Sequence, residues 1–139
     1  MSDLAVAGYA SLFWARDLAG DAVAAGAFAE SLHVSHPHGV PMLHAHDPAA
    51  VVGVWDEARE DARGLHVRGR IRGDTAAGRL AQALHRSGRL DGLSIGFRTR
   101  RARGAEGGRL RVLAEVDLVE VSLTPHPMLP GARFAAAGG

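Results

Sequence analysis

The chain has 139 residues, of which 47% are apolar, and a formal net charge of +1; these values fit one globular domain and exclude a disordered segment. The balanced charge implies no strong electrostatic attraction to nucleic acid or to a membrane surface. The chain has no cysteine, which excludes disulfides, thiol catalysis and cysteine-bound zinc. Because the N-terminus lacks the basic start of a signal peptide, we expect a cytoplasmic protein.

The first half of the chain is predicted to be mostly β-structure. The predicted elements are a strand over 4–14, a turn over 17–21, a short helix within 21–32, a histidine-rich loop leading into a strand over 33–46, and strands over 51–55 and 64–72 joined by a charged turn. Gly26 weakens the helix, since glycine is a poor helix former. Asp47-Pro48 is expected to end the strand that starts near Val40.

The second half contains the clearest helix of the chain. The predicted elements are this helix over 74–87, a strand over 91–98, a glycine-rich turn over 104–108, a long strand over 110–123, and a proline-rich end. Asp74 or Thr75 can cap the helix, and Gly88 can end it. Its predicted apolar stripe consists of Ala77, Leu80, Ala81 and Leu84.

The order of these elements indicates a mainly β fold with helices, of the α+β class. Most predicted strands are neighbours joined by short turns, which favours an antiparallel sheet or barrel of about six or seven strands with one or two helices packed outside. We expect a single domain over residues 1–134 and a disordered tail over 135–139.

The segment 91–98 predicts a strand with two different faces. Leu93, Ile95 and Phe97 form an apolar face, and Gly92, Ser94 and Gly96 form the other. Glycine in a strand often marks a place where a ligand or another backbone comes close. The segment is therefore either a barrel strand bent at two glycines, or a cleft that gives Ser94 room to attack a peptide carbonyl.

A nucleophilic serine needs a base and a group that orients the base. His46 is the candidate base, at the end of an apolar run, although a surface histidine would give the same pattern. Glu120 is the candidate orienting group, because it interrupts a strongly apolar strand and a buried carboxylate requires a partner. If its face of the strand is exposed to water, Glu120 needs no such role.

Two other groups of residues allow different functions. The histidine pairs at 36 and 38 and at 44 and 46 have a spacing that can bind zinc or nickel, which would make the protein a metal hydrolase. This hypothesis ranks below serine catalysis, because loop histidines around Pro37 and Gly39 need not converge. The arginines at 98, 100, 101 and 103 favour a solvated hairpin tip over a nucleic-acid site, since no aromatic residues lie between them.

Taken together, these stretches resemble the prohead (capsid maturation) protease family of tailed phages. The resemblance covers residues 8–132 and rests on the segments 8–10, 26–28, 42–48 (Met-Leu-His-Ala-His-Asp-Pro), 92–97 (Gly-Leu-Ser-Ile-Gly-Phe) and 120–125 (Glu-Val-Ser-Leu-Thr-Pro). The family is related in fold to the herpesvirus assembly proteases, so the resemblance implies an antiparallel β-barrel surrounded by helices. It also implies a serine endopeptidase that uses no metal or cofactor.

The resemblance assigns roles to particular residues. It implies Ser94 as nucleophile and His46 as base, with Gly92 and Gly96 lining the substrate cleft. Glu120 occupies the strand that matches the third member of the triad. His126 is the rival for that role, because herpesvirus proteases use a second histidine there. The oxyanion donors are expected among the amides of 129–131, with Arg133 as a weaker candidate.

The resemblance also implies the substrate and the site of action. The expected substrate is a major capsid protein or its scaffolding segment, cleaved inside the immature capsid in the cytoplasm of the bacterial host. The source would be a phage, a prophage or a gene transfer agent, and a homo-oligomer is compatible with this role. The alternative function is that of a catalytically inactive relative that binds scaffold during capsid assembly.

Overall fold

The structure is a computed structural model that describes residues 1–138. Its strands are β1 (Leu4–Leu12), β2 (Asp21–Val23), β3 (Pro41–His44), β4 (Asp47–Glu60), β5 (Gly64–Ile71), β6 (Gly92–Ala105), β7 (Leu110–Thr124) and β8 (Phe134–Ala136). Its helices are α1 (Ala29–Val34) and α2 (Ala76–Arg86), with single 3-10 turns at Pro37–Gly39 and Glu106–Gly108. Among these residues, no helix has the length and apolar character needed to cross a membrane.

One curled sheet contains all eight strands. From β3 the order runs β4, β5, β1 and β8, with each neighbouring pair antiparallel. Strand β7 joins the rest of the sheet, since β6 pairs with it in antiparallel fashion while β2 and β3 pair with it in parallel. Backbone hydrogen bonds from Leu93 to Ala132 and from Phe134 to Asp91, both 2.9 Å, connect the start of β6 to the segment before β8.

This architecture confirms the predicted fold class. The sheet is mixed where we expected an antiparallel one, because β2 and β3 each reach β7 by a connection that crosses the sheet instead of by a hairpin. The core lies inside the curl, and its largest fully buried side chains include Trp55, Phe28 and Met42. The indole N–H of Trp55 donates to the Val121 carbonyl at 3.2 Å, which ties the core to β7.

Several boundaries differ from the predicted ones. The expected helix within 21–32 is split into β2 and α1, with Gly26 between them at φ +89°. The expected charged turn after Trp55 belongs to β4, because Glu57 and Glu60 pair in register with Arg68 and Leu65 of β5. Asp47 begins β4 instead of ending β3.

Two further corrections concern helix α2 and the C-terminus. Thr75 caps α2 by accepting a hydrogen bond from the Gly78 amide at 3.0 Å, but Leu80 of the predicted stripe is 55% exposed. Buried Gln82 lies on the inner face instead, where its amide donates to the Ile71 carbonyl. Residues 135 and 136 belong to β8 and pair with β1, so they are not part of a disordered tail; Gly139 lies outside the described residues.

Candidate active site

A stripe of polar side chains runs across the β6–β7 pair. The antiparallel register places Gly92 opposite Thr124, Ser94 opposite Ser122, and Gly96 opposite Glu120. Directly opposite residues share a face of the sheet, so all these groups lie on one side. Its polar members are buried, since Ser94, Glu120 and Thr124 are each 7% exposed and Ser122 is fully buried. Such a group of buried polar side chains requires internal hydrogen bonds.

A strained turn brings His46 to this stripe. Ala45 and His46 are the two central residues of the β3–β4 hairpin, and both have positive φ, +50° and +64°. Positive φ at both positions defines a type I′ turn, which usually contains Asn and Gly. With ordinary side chains the conformation costs about 1–2 kcal/mol per residue, so other contacts must hold it. Strand β7 supplies one of them, because the Leu123 carbonyl accepts from the Ala45 amide at 2.8 Å.

His46, Glu120 and Ser122 form a hydrogen-bonded network. The His46 ring contacts Glu120 through Nδ1 and Oε2. The Ser122 hydroxyl donates to the other carboxylate oxygen, Oε1, at 2.9 Å and accepts from the His46 backbone N–H at 2.9 Å. The Glu120 side chain is 9% exposed and the His46 side chain 46% exposed. Because Nδ1 faces Glu120, Nε2 on the opposite side of the ring is left to exchange a proton.

Ser94 lies beside this network. Its partner across the strand pair is Ser122, and directly opposite Cβ atoms in an antiparallel pair are about 5 Å apart. Ser122 also binds the His46 backbone, so Ser94 and His46 are both neighbours of Ser122, although no hydrogen bond joins the Ser94 hydroxyl to the His46 ring among residues 1–138. Contacts between nucleophile and base are often loose in unliganded enzymes and tighten with substrate.

Ser94 also lines a cavity next to the outer edge of β6. The cavity holds about 450 Å³ of empty space, open solvent included, and its walls are mainly apolar. The lining residues include Leu93, Phe97, Leu113, Met128 and Leu129. Asp17 and Asp21 form its acidic part. Arg111 binds Asp21 through two hydrogen bonds of 2.9 and 3.1 Å, and these raise the pKa of the Arg111 guanidinium.

The two glycines that flank Ser94 make room for neighbouring parts of the protein. A Cβ atom on Gly96 would lie 2.7 Å from both Cγ and Oε2 of Glu120, and one on Gly92 would lie 2.7 Å from Pro127 Cδ. The space on their Cβ side is therefore filled by the protein, and the lining of a substrate cleft by their backbone stays a prediction. Gly96 makes room for the carboxylate that binds His46, and Gly92 makes room for the segment after β7.

The rival and auxiliary candidates lie at other places. His126 is exposed, and its backbone N–H donates to Thr124 Oγ1 at 3.2 Å, whereas Glu120 makes the contact with the His46 ring. The Arg133 guanidinium binds Asp91 at 2.7 Å and the Pro130 carbonyl at 2.9 Å. The predicted oxyanion segment, 129–131, adjoins the serine, because Leu129 lines the same cavity and β6 is bonded to Ala132.

The other histidines do not form a ligand cluster for the predicted metal site. Within residues 1–138, no three His, Cys, Asp or Glu side chains are grouped closely enough to hold a metal ion. His36 and His38 pack edge to face with ring centroids 4.7 Å apart, and His38 binds Asp56 at 3.1 Å. Imidazole and carboxylate thus pair on this surface without a third ligand.

Ser122 is the site residue that the sequence interpretation missed. Two signals were available: it follows Glu120 by two residues, so both share a strand face, and it is a hydroxyl in an otherwise apolar strand. Its bond to the His46 amide depends on β3 lying parallel to β7, which the sequence pattern did not indicate.

Comparison with known proteins identifies the family of this chain. A profile of the family described as Caudovirus prohead serine protease matches residues 2–138. The chain belongs to this family. The prohead protease of Enterobacteria phage HK97 is 38% identical over 92 residues, which are 65% of this chain and 40% of that protein. The chain therefore spans less than half the length of this relative.

Solved structures show the same fold at low sequence identity. KSHV protease, determined with a hexapeptide phosphonate inhibitor, superposes with a TM-score of 0.70 at 16% identity, covering 99% of this chain and 66% of that one. The capsid assembly protease of bacteriophage T4 superposes with a TM-score of 0.67 at 16% identity, covering 88% and 82%. At this identity the likeness shows the herpesvirus-protease-like fold alone, as the sequence resemblance predicts.

Proposed function

We propose that this protein is a serine endopeptidase of prohead maturation, with Ser94 as nucleophile, His46 as base and Glu120 as the residue that orients His46. The observation that carries the proposal is the contact between His46 Nδ1 and Glu120, on the face where Ser94 pairs with Ser122. Family membership adds the reaction class, since the family is one of serine proteases.

The proposed mechanism is acyl transfer. His46 Nε2 removes the Ser94 proton as Oγ attacks the scissile carbonyl, and the same nitrogen returns the proton to the leaving amine. Glu120 holds the ring through Nδ1 and stabilises the imidazolium that forms. Amide donors from 129–131 would bind the oxyanion, and each such donor typically contributes about 3–4 kcal/mol to transition-state stabilisation.

Ser122 acts in this mechanism as a positioning residue. Its hydroxyl binds the carboxylate of Glu120 and the backbone of His46 at once, so it fixes the distance between base and orienting group. It also satisfies one amide of the strained hairpin turn. A base held in this way needs little rearrangement when the imidazolium forms.

The cavity beside Ser94 would receive a substrate side chain next to the scissile bond. Its apolar walls favour a side chain with apolar surface, and Asp17 adds a carboxylate at the rim. The substrate we propose is a capsid protein or its scaffolding segment, and the place of action is the interior of an immature capsid. Homo-oligomer formation is compatible with this role.

The test compares the wild-type protein with Ser94→Ala against the cognate capsid protein. We expect mass spectrometry to show specific cleavage by the wild type and none by the variant, with unchanged circular dichroism. Ser87→Ala is the control, because Ser87 is exposed at the end of α2 and should leave cleavage intact. A fluorophosphonate probe should label wild-type Ser94 alone.

Equal cleavage by the wild type and Ser94→Ala would refute the serine mechanism. A wild-type protein that folds but neither cleaves the capsid protein nor reacts with the probe would instead be a catalytically inactive assembly relative.

A further inference from the structure

The positive charge of the protein is concentrated on the outer part of the β6–β7 hairpin. Residues 98–117 contain six arginines and three carboxylates, a net charge of +3, whereas the whole chain has a net charge of +1. The remaining residues are therefore net negative. Part of this charge is neutralised, since Arg100 pairs with Asp117 at 3.1 Å and Arg111 pairs with Asp21 at 2.9 Å.

Three arginines of strand β6 are not neutralised. Within the described residues, Arg98, Arg101 and Arg103 have no carboxylate oxygen within 4.0 Å, and all three are exposed. Glu115 lies opposite Arg101 in the register but is not within that distance. The outer part of β6 thus carries three free guanidinium groups on one strand.

The register places two of these arginines on the same face as Ser94. Arg98 lies opposite Asp117, and Arg101 lies opposite Glu115, while the intervening Arg100 has no opposite residue. Thr99 and Ala102 lie opposite Val116 and Leu113, which are both 1% exposed and belong to the core. Because opposite residues share a face, Arg98 and Arg101 lie on the outer face, in line with Gly96 and Ser94.

The same strand has a free backbone edge. The Leu93 amide points away from β7, since it donates to the Ala132 carbonyl, and strand alternation then directs the amides of Ile95 and Phe97 to that side. Beyond the bridge at Gly92, β6 pairs only with β7 among residues 1–138. An edge of this length offers backbone donors and acceptors to an extended peptide.

We infer that the outer part of β6 binds an acidic, extended segment of the substrate, a conclusion that rests on the function proposed above. The segment pairs with the free edge of β6, and its carboxylates lie beside Arg98 and Arg101 as cross-strand partners. Arg98 is four residues from Ser94, which is about 13 Å at about 3.3 Å per residue. The acidic residues therefore lie about four and about six or seven residues from the scissile bond, on one side of it.

Binding can be tested without cleavage. The host protein is full-length Ser94→Ala, and the probes are two extended peptides, one of alternating glutamate and threonine and one with glutamine in place of glutamate. We expect amide NMR spectra to change at Ile95, Phe97 and Thr99 with the glutamate peptide, and much less with the glutamine peptide. Added salt should weaken the effect, since exposed ion pairs are screened.

Charge-matched variants locate the site. Arg98→Gln/Arg101→Gln should bind the glutamate peptide about three- to tenfold more weakly than the host. Arg68→Gln/Arg86→Gln removes the same charge from β5 and α2, where both side chains are exposed and have no carboxylate oxygen within 4.0 Å in the described part of the chain, and should bind like the host. Equal losses in both variants would overturn the proposal, as would tighter binding of a single-stranded oligonucleotide than of the glutamate peptide.

A second assay separates this proposal from the proposed function. With an active protein and the cognate capsid protein, Arg98→Gln/Arg101→Gln should raise KM several-fold with kcat and fluorophosphonate labelling of Ser94 unchanged. Cleavage that is unaffected by the variant would overturn the acidic-segment proposal while the serine mechanism stands. If the protein binds the glutamate peptide but never cleaves the capsid protein, the proposed binding surface stands and the proposed function is overturned.

Discussion

Residues 1–138 contain two histidine–carboxylate pairs, which lie in different surroundings. His46 and Glu120 pair over the β6–β7 strands, where the carboxylate is 9% exposed; His38 and Asp56 pair near the 3-10 turn, where the carboxylate is 38% exposed. Asp56 also receives two hydrogen bonds of 2.9 Å from Arg70, whereas Glu120 receives one from the neutral hydroxyl of Ser122.

The difference determines what each carboxylate can do for its histidine. Asp56 is neutralised by a guanidinium and needs no imidazolium. Glu120 has no cation other than His46 among its hydrogen-bond partners in residues 1–138, so its buried charge is available to a developing imidazolium. We therefore expect only the His46–Glu120 pair to support catalysis, because of the burial of Glu120 and because its hydrogen-bond partners include no guanidinium.

The largest difference in kcat is expected between substitutions of the two paired histidines, His46 and His38. His46→Ala should reduce kcat on the order of 10⁴–10⁶-fold and be as damaging as Ser94→Ala, because nucleophile and base act as a unit. His38→Ala should cleave at the wild-type rate. His44→Ala should be much milder than His46→Ala, since one ring suffices to reach Ser94. An active His46→Ala with an inactive His44→Ala would show that the turn register is wrong.

The second largest difference in kcat is expected between substitutions of the two carboxylates, Glu120 and Asp56. Glu120→Gln should lower kcat about a hundred- to a thousandfold, somewhat less than the corresponding change in other serine proteases, because the His46 side chain is 46% exposed. Asp56→Asn is the matched change and should leave kcat unaltered. His126→Ala should also cost little. A large loss in His126→Ala together with an active Glu120→Gln would transfer the third role to His126.

Gly96 provides a test of the space that Glu120 needs. Gly96→Ala places a methyl group 2.7 Å from Glu120 Oε2, so it should displace the carboxylate and lower kcat roughly ten- to a hundredfold. Gly104→Ala on the same strand meets no atom within 4 Å and should have no effect. Steady-state kinetics on both variants, with their melting temperatures as a check on folding, decides the point. Equal activity of the two variants would contradict the role of Gly96.

Substitution of Ser122 should have a smaller effect on kcat, and this effect should be coupled to that of Glu120. Ser122→Ala leaves the His46 amide and a Glu120 oxygen without a partner, so kcat should fall about tenfold and unfolding should become about 1–3 kcal/mol easier. Ser122→Thr keeps the hydroxyl and should recover most of kcat. In the Glu120→Gln background the Ser122→Ala change should lower kcat little further, since the two residues act through one contact. Additive losses would indicate a purely structural serine.

The exposed pair of His38 and Asp56 should affect the stability of the fold and not kcat. Arg70, and then His38, hold the pKa of Asp56 below its ordinary value of 3.8. A carboxylate whose pKa is lowered by folding stabilises the fold at pH values above its unfolded pKa, and this contribution is lost as the pH falls through the folded pKa. Wild-type Tm should therefore slightly exceed that of Asp56→Asn near neutral pH, and the difference should vanish well below pH 3.8. A difference that persists in strong acid would have another cause.

Much of the site could be predicted from local patterns. The alternation of side chains along 92–97 placed Ser94 on the face opposite to the apolar one, and Glu120 was recognisable as a carboxylate among apolar residues. Both could be predicted because the periodicity of a strand depends only on consecutive residues. The C-terminal boundary of β4 was missed because its charged residues pair across the sheet with β5. Such cross-strand contacts favour the strand conformation but cannot be recognised from neighbouring residues in the sequence.

The sequence by itself determined most of the strands, the three-turn helix α2, and the types of side chain available for serine catalysis. Only the tertiary structure decided which of the eight histidines meets the buried carboxylate of Glu120: the parallel pairing of β3 with β7 brings His46 to Glu120, 74 residues away. The tertiary structure also decided that Glu120 and Pro127 occupy the space beside the two glycines that flank Ser94. The physical reason is that hydrophobic periodicity fixes which face of a strand is buried, whereas the choice of neighbouring strand depends on packing of the whole sheet.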